Sequence, residues 1–598
     1  MKHVNISHWD FSNMDKGLLF FAQVIEEMLF HYGHDSLKVP ALNFRFLCFE
    51  IRNSIEKIES DIVDKGNMRP LFDELKETFE NDPIVKKLFG SDFNSLFYTK
   101  NAEGDILRNC SDIFKDPTGD TSIKRIKRVV HWLINEMDIE DRYFLELKAS
   151  ITECIKAVPF SFSEQEQLYR LSRILITDLI NFGYSQEYIY QISNDIFYNS
   201  SRPVTDIDTT LTSFWESFDF EAKEYIVTLP LKTSYLKKHL RYFNNVFVKY
   251  NKAAAFNNSC RWVVEVPIKA MDPQQAHANA IKRVNFYASL IQYNNHRSKP
   301  YREKFALVTQ KESGRTYHLK TPIALLERGS VLSDEKNNEK IALMVSNFTF
   351  SPLKMTSVIE LHSSAISSLG VDNQLLNLWT IVEILVTVER KNNFSKINQI
   401  CNIVTSVLNA QYVISLIGQL LSDLQHCVSS VIQTELASVQ YGKNDIEKMV
   451  AILVLPELNA QLTNILSALK DYPLLQYRIE HYSEIFSERT KIKAFLTTHR
   501  KRLSWHIMRI YRNRNMIVHD GSYFPYIDII VQNLHCYIDC LIDTINSYAG
   551  KGYRSTEAIY TALQQQEYKY MLLLDEKDTN KVVKKIDADS LPIVLGYI

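Results

Sequence analysis

Apolar residues at three- and four-residue spacings dominate both ends of this chain, and that period commits those regions to helices. Residues 17–33 and 168–182 carry the pattern at the N-terminal end, each bounded or followed by glycine, a residue that ends helices readily. Residues 1 to about 205 therefore read as several packed helices, with no fixed repeat period that would mark a solenoid. Between about 206 and 355 the texture changes. Tyr225-Ile-Val-Thr-Leu229 and Trp262-Val-Val-Glu-Val266 are short β-branched runs, each followed by proline, and so read as strands ended by that proline. Their likeness marks neighbouring strands or is a coincidence. Asp272-Pro273 supplies an N-cap and a first-turn proline for a helix over 274–292. Residues 305–309 and 315–319 flank Ser313-Gly314, a hairpin signal.

Residues 333–340 read as a polar loop and 341–350 as a further apolar run. Beyond Thr356 the helical period returns through 375–388, 395–424, 458–469 and a long basic segment ending at His519. Ser522-Tyr-Phe-Pro525 breaks the chain before a final helix over 526–548. The expected fold class is mainly α: an N-terminal helical domain (1–205) that is a candidate sensor, a small central α+β module (206–355), a C-terminal helical bundle (356–548) and a tail (549–598). Part of that tail, with Lys581 to Lys585 and Asp587 to Asp589, is expected to be mobile.

With 598 residues, 45% of them hydrophobic, the chain can build more than one large core. A net charge of −1 excludes a whole-molecule polyelectrolyte binder, so any affinity for nucleic acid must come from a local patch. One such patch lies between Tyr482 and Asp520, where Arg489, Lys491, Lys493, Arg500, Lys501, Arg502, Arg509, Arg512 and Arg514 face only Glu484, Glu488 and Asp520. A charge run of this kind is either a solvated helix face balanced by acids elsewhere or a binding track. The eight cysteines, Cys48, Cys110, Cys154, Cys260, Cys401, Cys427, Cys536 and Cys540, form no C-x-x-C pair, which points to reduced thiols and a cytoplasmic location. His535, Cys536 and Cys540 resemble a partial metal site, but no second ligand pair stands nearby in sequence, so they read as helix packing and no metal or cofactor is expected. The N-terminus shows no apolar leader, and the longest apolar runs are cut short by Pro456 or by charges, so membrane insertion is not expected.

The ten residues Arg512-Asn-Arg-Asn-Met-Ile-Val-His-Asp-Gly521 carry the most chemistry. Arginine clamps a phosphate with several donors and histidine moves protons near neutral pH, so the pair suits metal-free cutting of a phosphodiester. RNA is the natural substrate, because its own 2′-OH can serve as nucleophile. Spacing alone proves little: with 26 arginines and 16 histidines in 598 residues, an Arg-x4-His match arises by chance about 0.7 times. Context raises its weight, since Asn515 follows Arg514, Met516-Ile517-Val518 can anchor a helix, and Gly521 stands where a helix end needs positive φ. Arg125 and His131 are a comparable pair without that context.

Arg514-Asn515-Met516-Ile517-Val518-His519 resembles the Arg-polar-x(3 to 5)-His signature of HEPN domains, and the fuller Arg512-Asn-Arg-Asn-x-Ile-Val-His resembles the Apea-like branch. Leu376-Asn-Leu-Trp-Thr-Ile-Val-Glu-Ile-Leu385 is similar to the opening helix of that branch, whose Trp and acidic residue face the motif. The resemblance covers roughly 356–548, with about 125 residues between its two matched segments.

The resemblance implies a homodimer whose cleft takes one Arg and one His from each copy. Two facing copies of His519 would divide the roles of base for the 2′-OH and acid for the 5′-oxygen. Arg514 would hold the scissile phosphate, and Asn515 would orient His519 or the phosphate. Arg512 and Arg509 would extend the cationic track, with Tyr511 and Trp505 either stacking on bases or packing in the bundle. Glu383, on an apolar helix, sits at its polar edge or pairs with Arg512 or Arg514 to fix the motif. The expected function is a metal-independent endoribonuclease, silent until a phage-derived or regulatory trigger acts, serving as a toxin or abortive-infection effector against phage. Its RNA substrate includes tRNA among the candidates. The alternatives are a non-catalytic HEPN bundle that binds RNA and an assembly scaffold. Other enzyme classes leave no motif, and the pairs Asp206/Asp208 and Asp587/Asp589 read as turn or cap residues.

Overall fold

The computed structural model describes the chain apart from residues 1–5, 7, 10–15, 30–41, 101–105, 108–110, 200, 202, 232–233, 242, 244, 251–255, 257–260, 295, 297–304, 321–333, 349–350, 369, 387–395, 576–584 and 597–598. Most of the N-terminal segment, Gly33, Cys110, Cys260 and Lys581 to Lys584 thus lie outside the described residues. The fold is mainly α with one five-stranded antiparallel sheet and a two-residue ladder, as the sequence predicts. Two compact units form: 1–6, 15–177 and 326–598 make one, and 7–14 with 178–325 make the other. The N-terminal helices and the C-terminal bundle, expected as separate domains, therefore share a unit, and the sheet unit takes in helical residues from 178 onward.

In the sheet unit the strands are β1 (Lys223–Leu231), β2 (Phe247–Tyr250), β3 (Trp262–Ala270), β4 (Phe305–Gln310) and β5 (Thr316–Lys320). Their spatial order is β2-β3-β1-β4-β5. The two look-alike segments are indeed neighbours, antiparallel, with Tyr225 opposite Ile268 and Leu229 opposite Val264. Proline does not end either strand. Pro230 and Pro267 both lie within ladders, opposite Val263 and Ile226. The β1–β4 ladder stops at Thr228, before Pro230. The carbonyl of Pro267 accepts a bond from Arg283, so that residue's polar edge, where the N–H is missing, faces away from β1. The hairpin expected at Ser313-Gly314 joins β4 to β5, with Gly314 at φ 66°. One helix, Pro273–Asn294, packs on the sheet through Ala276, Ala280, Val284 and Ala288, and Asp272 caps its start by accepting from the Gln275 N–H.

In the larger unit the helices that matter for the site are α1 (Lys16–Leu29), α2 (Phe44–Glu59), α3 (Met68–Asn81), α4 (Pro352–Ser367), α5 (Val371–Leu385), α6 (Lys396–Ala410), α7 (Tyr412–Cys427), α8 (Pro473–Phe486), α9 (Arg489–Asp520), α10 (Ile527–Gly550) and α11 (Thr556–Asp575). Helices α5, α6, α9, α10 and α11 pack on one another as a bundle. The stretch between the two family-like segments builds a second apolar core, from Val413 through Leu436, Met449 and Ile465 to Phe486, which accounts for its length. Residues 334–347, expected as a loop and an apolar run, form one helix instead, Asp334–Asn347. The tail from 549 holds the twenty-residue α11. Residues Lys396–Cys427, within the helical stretch read over 395–424, are long and apolar enough to cross a membrane by length and composition; 56% of the most apolar window is buried within the fold.

Candidate active site

Helix α9 is 32 residues long and ends at Gly521, whose φ of 64° closes it as the sequence predicts. Burial along its last turns follows the helical period. Arg509, Arg512, Asn513 and Met516, at i, i+3, i+4 and i+7, form one buried face. Arg514 and Val518 lie roughly opposite, with Arg514 half-buried and Val518 exposed. Asn515 is half-buried, and His519, one turn beyond it, is exposed in the last turn.

The buried face is an ion-pair network. Glu50 of α2, fully buried, accepts from Arg509 Nε at 2.9 Å and from Arg512 Nη2 at 2.8 Å. Glu74 of α3 accepts from Arg509 Nη2 at 2.7 Å. Burial pushes the Glu50 carboxyl up, but the Arg509 and Arg512 guanidiniums outweigh it and hold it below the usual range. At Glu74 burial wins and the carboxyl is raised. Asn513 continues the network, donating to the Arg509 carbonyl and accepting from the Phe524 N–H, which ties the break after the helix back onto it. The expected role of Arg509 and Arg512 as an RNA-facing track is therefore corrected: both cations are spent inside the fold on carboxylates that the C-terminal third does not contain.

Lys57 of α2 also bonds Asp520, which in turn accepts from Ser522. These bonds hold the Asp520 carboxyl below its usual range. Glu50 and Lys57 are seven residues apart and Arg512 and Asp520 eight, spans of about 10–12 Å on a helix. The two pairs, in the same order along both helices, fasten α2 to α9 at two points.

The rest of the basic run is neutralised in the same way. Lys491 meets Glu484 and Glu488, Lys493 meets Asp575, Arg500 meets Glu567, and Lys501 and Arg502 meet Glu77. Arg489 donates to the Leu573 carbonyl. Among the described residues, Arg514 alone of the nine makes none of these pairings: its Nη1 donates to Asn515 Oδ1 at 3.2 Å, and no carboxylate lies within 4.0 Å. Arg514 and His519 are about 140° apart around the axis and about 7.5 Å along it. The bond to Asn515 draws the guanidinium toward the side where His519 stands one turn above Asn515.

Comparison with family models, with curated proteins and with solved structures returns no match. The site thus rests on its own geometry.

Glu383 does not pair with the motif. Its Oε1 accepts from Trp379 Nε1 at 3.0 Å and meets Lys396 at 3.3 Å, which corrects the expected bond to Arg512 or Arg514. The two family-like helices nevertheless face each other, with the Trp379 ring 5.7 Å from that of Tyr511. Tyr511 and the buried Trp505 pack rather than stand as free stacking surfaces. Asp206 caps the helix Ile207–Trp215, and Asp587 accepts from Ser590 in a turn, the structural roles expected of them. Glu50 and Glu74 are what the sequence reading missed. The signal was present in α2, where Glu50 sits among Leu47, Cys48 and Ile51 with no cation three or four residues away to pair with it.

Proposed function

We propose that the chain is a metal-independent endoribonuclease in which Arg514 and His519, with Asn515 positioning the guanidinium, act on an RNA phosphodiester. The observation that carries this reading is the contrast along α9: its other cations are paired within the fold, while Arg514 and the exposed His519 remain at the surface without a carboxylate partner among the described residues. A guanidinium left unpaired in this way has donors to offer a phosphate.

Arg514 would neutralise the charge that builds on the phosphate as the 2′-oxygen attacks. His519 would take the 2′-OH proton, and His519 of a second copy would protonate the departing 5′-oxygen, which leaves a 2′,3′-cyclic phosphate. The exposed last turn suits such a site, because it is open to a second copy and to RNA. A cytoplasmic role as a toxin or abortive-infection effector, released by a phage-derived or regulatory trigger and acting on tRNA or other RNA, follows from the HEPN resemblance. Stapling of α2 along α9 offers a route by which the N-terminal helices act on the motif.

A second reading has one observation in its favour. Val518 and Tyr523, 50% and 41% exposed beside the motif, are apolar surface of the kind that partner proteins cover. On this reading the same end of α9 is an interaction scaffold without cleavage. Incubation of the purified protein with total RNA and tRNA in EDTA, with the new ends mapped, separates the two: cyclic-phosphate ends support the nuclease, and RNA left intact and unbound supports the scaffold.

A further inference from the structure

Helix α4 brings His362 to α10, where His535 and Asp539 stand one turn apart on the same face. His362 Nε2 lies 3.2 Å from Asp539 Oδ1, and His535 Nδ1 lies 3.4 Å from Asp539 Oδ2. One donor atom from each of the three residues falls within 4.8 Å of the others. The two imidazoles stack with centroids 4.8 Å apart and planes at 29°. We propose that His362, His535 and Asp539 form a binding site for a borderline divalent transition ion, Zn2+ or a neighbour in the first row, that clamps α4 to α10.

The distances fit that chemistry. Ligands about 2.0–2.1 Å from a tetrahedral zinc stand about 3.3 Å from one another; each imidazole lies near that distance from one oxygen of the Asp539 carboxylate, and small side-chain rotations within the 4.8 Å cluster bring one donor of each residue onto an ion. Two imidazoles and one carboxylate are donors that suit zinc, cobalt or nickel and do not suit magnesium or calcium. The two histidines are 21% and 14% exposed while Asp539 is 50% exposed, so the carboxylate is the most open of the three ligands and solvent water would complete the coordination. Asp543, one turn further along α10, is taken by Lys340 and is not a fourth ligand. The sequence drew attention to His535 beside Cys536 and Cys540; the fold supplies His362 instead, from a helix more than 160 residues away, and sets neither cysteine in the cluster.

The test uses the full chain, stripped with EDTA and dialysed into metal-free buffer, then titrated with Co2+, whose visible bands report nitrogen and oxygen ligands. The expected result is one Co2+ per chain, displaced by Zn2+ and not by Mg2+, with a higher melting temperature when loaded. His362→Gln and Asp539→Asn, both conservative changes at partly exposed positions, each weaken binding by roughly tenfold or more while the far-ultraviolet spectrum stays unchanged. Absence of saturable binding overturns the proposal, as does binding that neither substitution weakens. The proposed RNA cleavage needs no ion at this site, so cleavage in EDTA and metal binding stand or fall separately.

Discussion

Glu50 and Arg512 form a buried ion pair at 2.8 Å, with side chains 0% and 1% exposed, that joins the second helix of the chain to a residue 462 positions later. Two further nitrogens of Arg512, Nε and Nη1, are buried without a hydrogen-bond partner among the described residues, so Glu50 is the group that compensates that charge. Removing it leaves Arg512 unpaired and Arg509 with Glu74 alone.

Glu50→Ala is therefore expected to destabilise the larger unit by about 3–5 kcal/mol, the usual cost of an orphaned buried charge. Lys57→Ala removes a partly exposed pair on the same helix and is expected to shift the midpoint far less. Urea unfolding of both variants checks the contrast. Equal midpoints would mean that the Glu50 network is not a structural staple.

Arg512 and Arg514 are two residues apart and have opposite expected phenotypes. Arg514→Ala is expected to lower RNA cleavage by about 10²–10³, the effect of losing one transition-state donor, while unfolding shifts by no more than about 0.5 kcal/mol. Arg512→Ala is expected to lower the melting temperature first and activity only with it. Parallel melting curves and initial cleavage rates on the two variants read this directly.

Gly521 ends α9 with φ 64°, and a Cβ there meets nothing within 4 Å. The cost of Gly521→Ala is then backbone strain alone, about 1–2 kcal/mol, and Gly521→Asn is expected to cost less because asparagine tolerates that region. Thermal unfolding of the two variants gives the order, and an alanine variant as stable as wild type would contradict this account of the helix end.

His277, 1% exposed on the helix that covers the sheet, is pushed by burial down to about 4. Its folded value lies below the unfolded one, so the unfolded chain binds the extra proton between pH 6.5 and about 4, and stability falls as the pH falls through that window. The loss is about 3 kcal/mol in full. Replacement His277→Leu removes the proton-binding group, so the variant is expected to lose less stability than wild type between pH 7 and 4. Parallel pH profiles of wild type and variant would contradict it.

Helix positions, the hairpin, the sheet helix and the glycine that closes α9 were legible because each has a local cause: an apolar period, a cap, a positive φ. Pro230 and Pro267 misled because their effect depends on which strand stands opposite, a tertiary fact. The same holds for the charges. A carboxylate on an apolar helix does need a partner, and Glu383 finds one locally in Trp379 and Lys396. It applied with more force to Glu50, whose partners lie more than 450 residues downstream. The nine cations of α9 could likewise be counted in the sequence, but the acids that pair with them come from α2, α3, α11 and the helix's own flank, so Arg514, the one left over among the described residues, emerges only in the fold.

The central claim is that the end of α9 cuts RNA with His519 as proton carrier. Its most direct test compares wild type and His519→Ala on the same RNA in EDTA. His519 is exposed, so the substitution is expected to leave folding and RNA retention unchanged. The account predicts cleavage to 2′,3′-cyclic phosphate ends by wild type and none by the variant; cleavage at the same rate by both would contradict it.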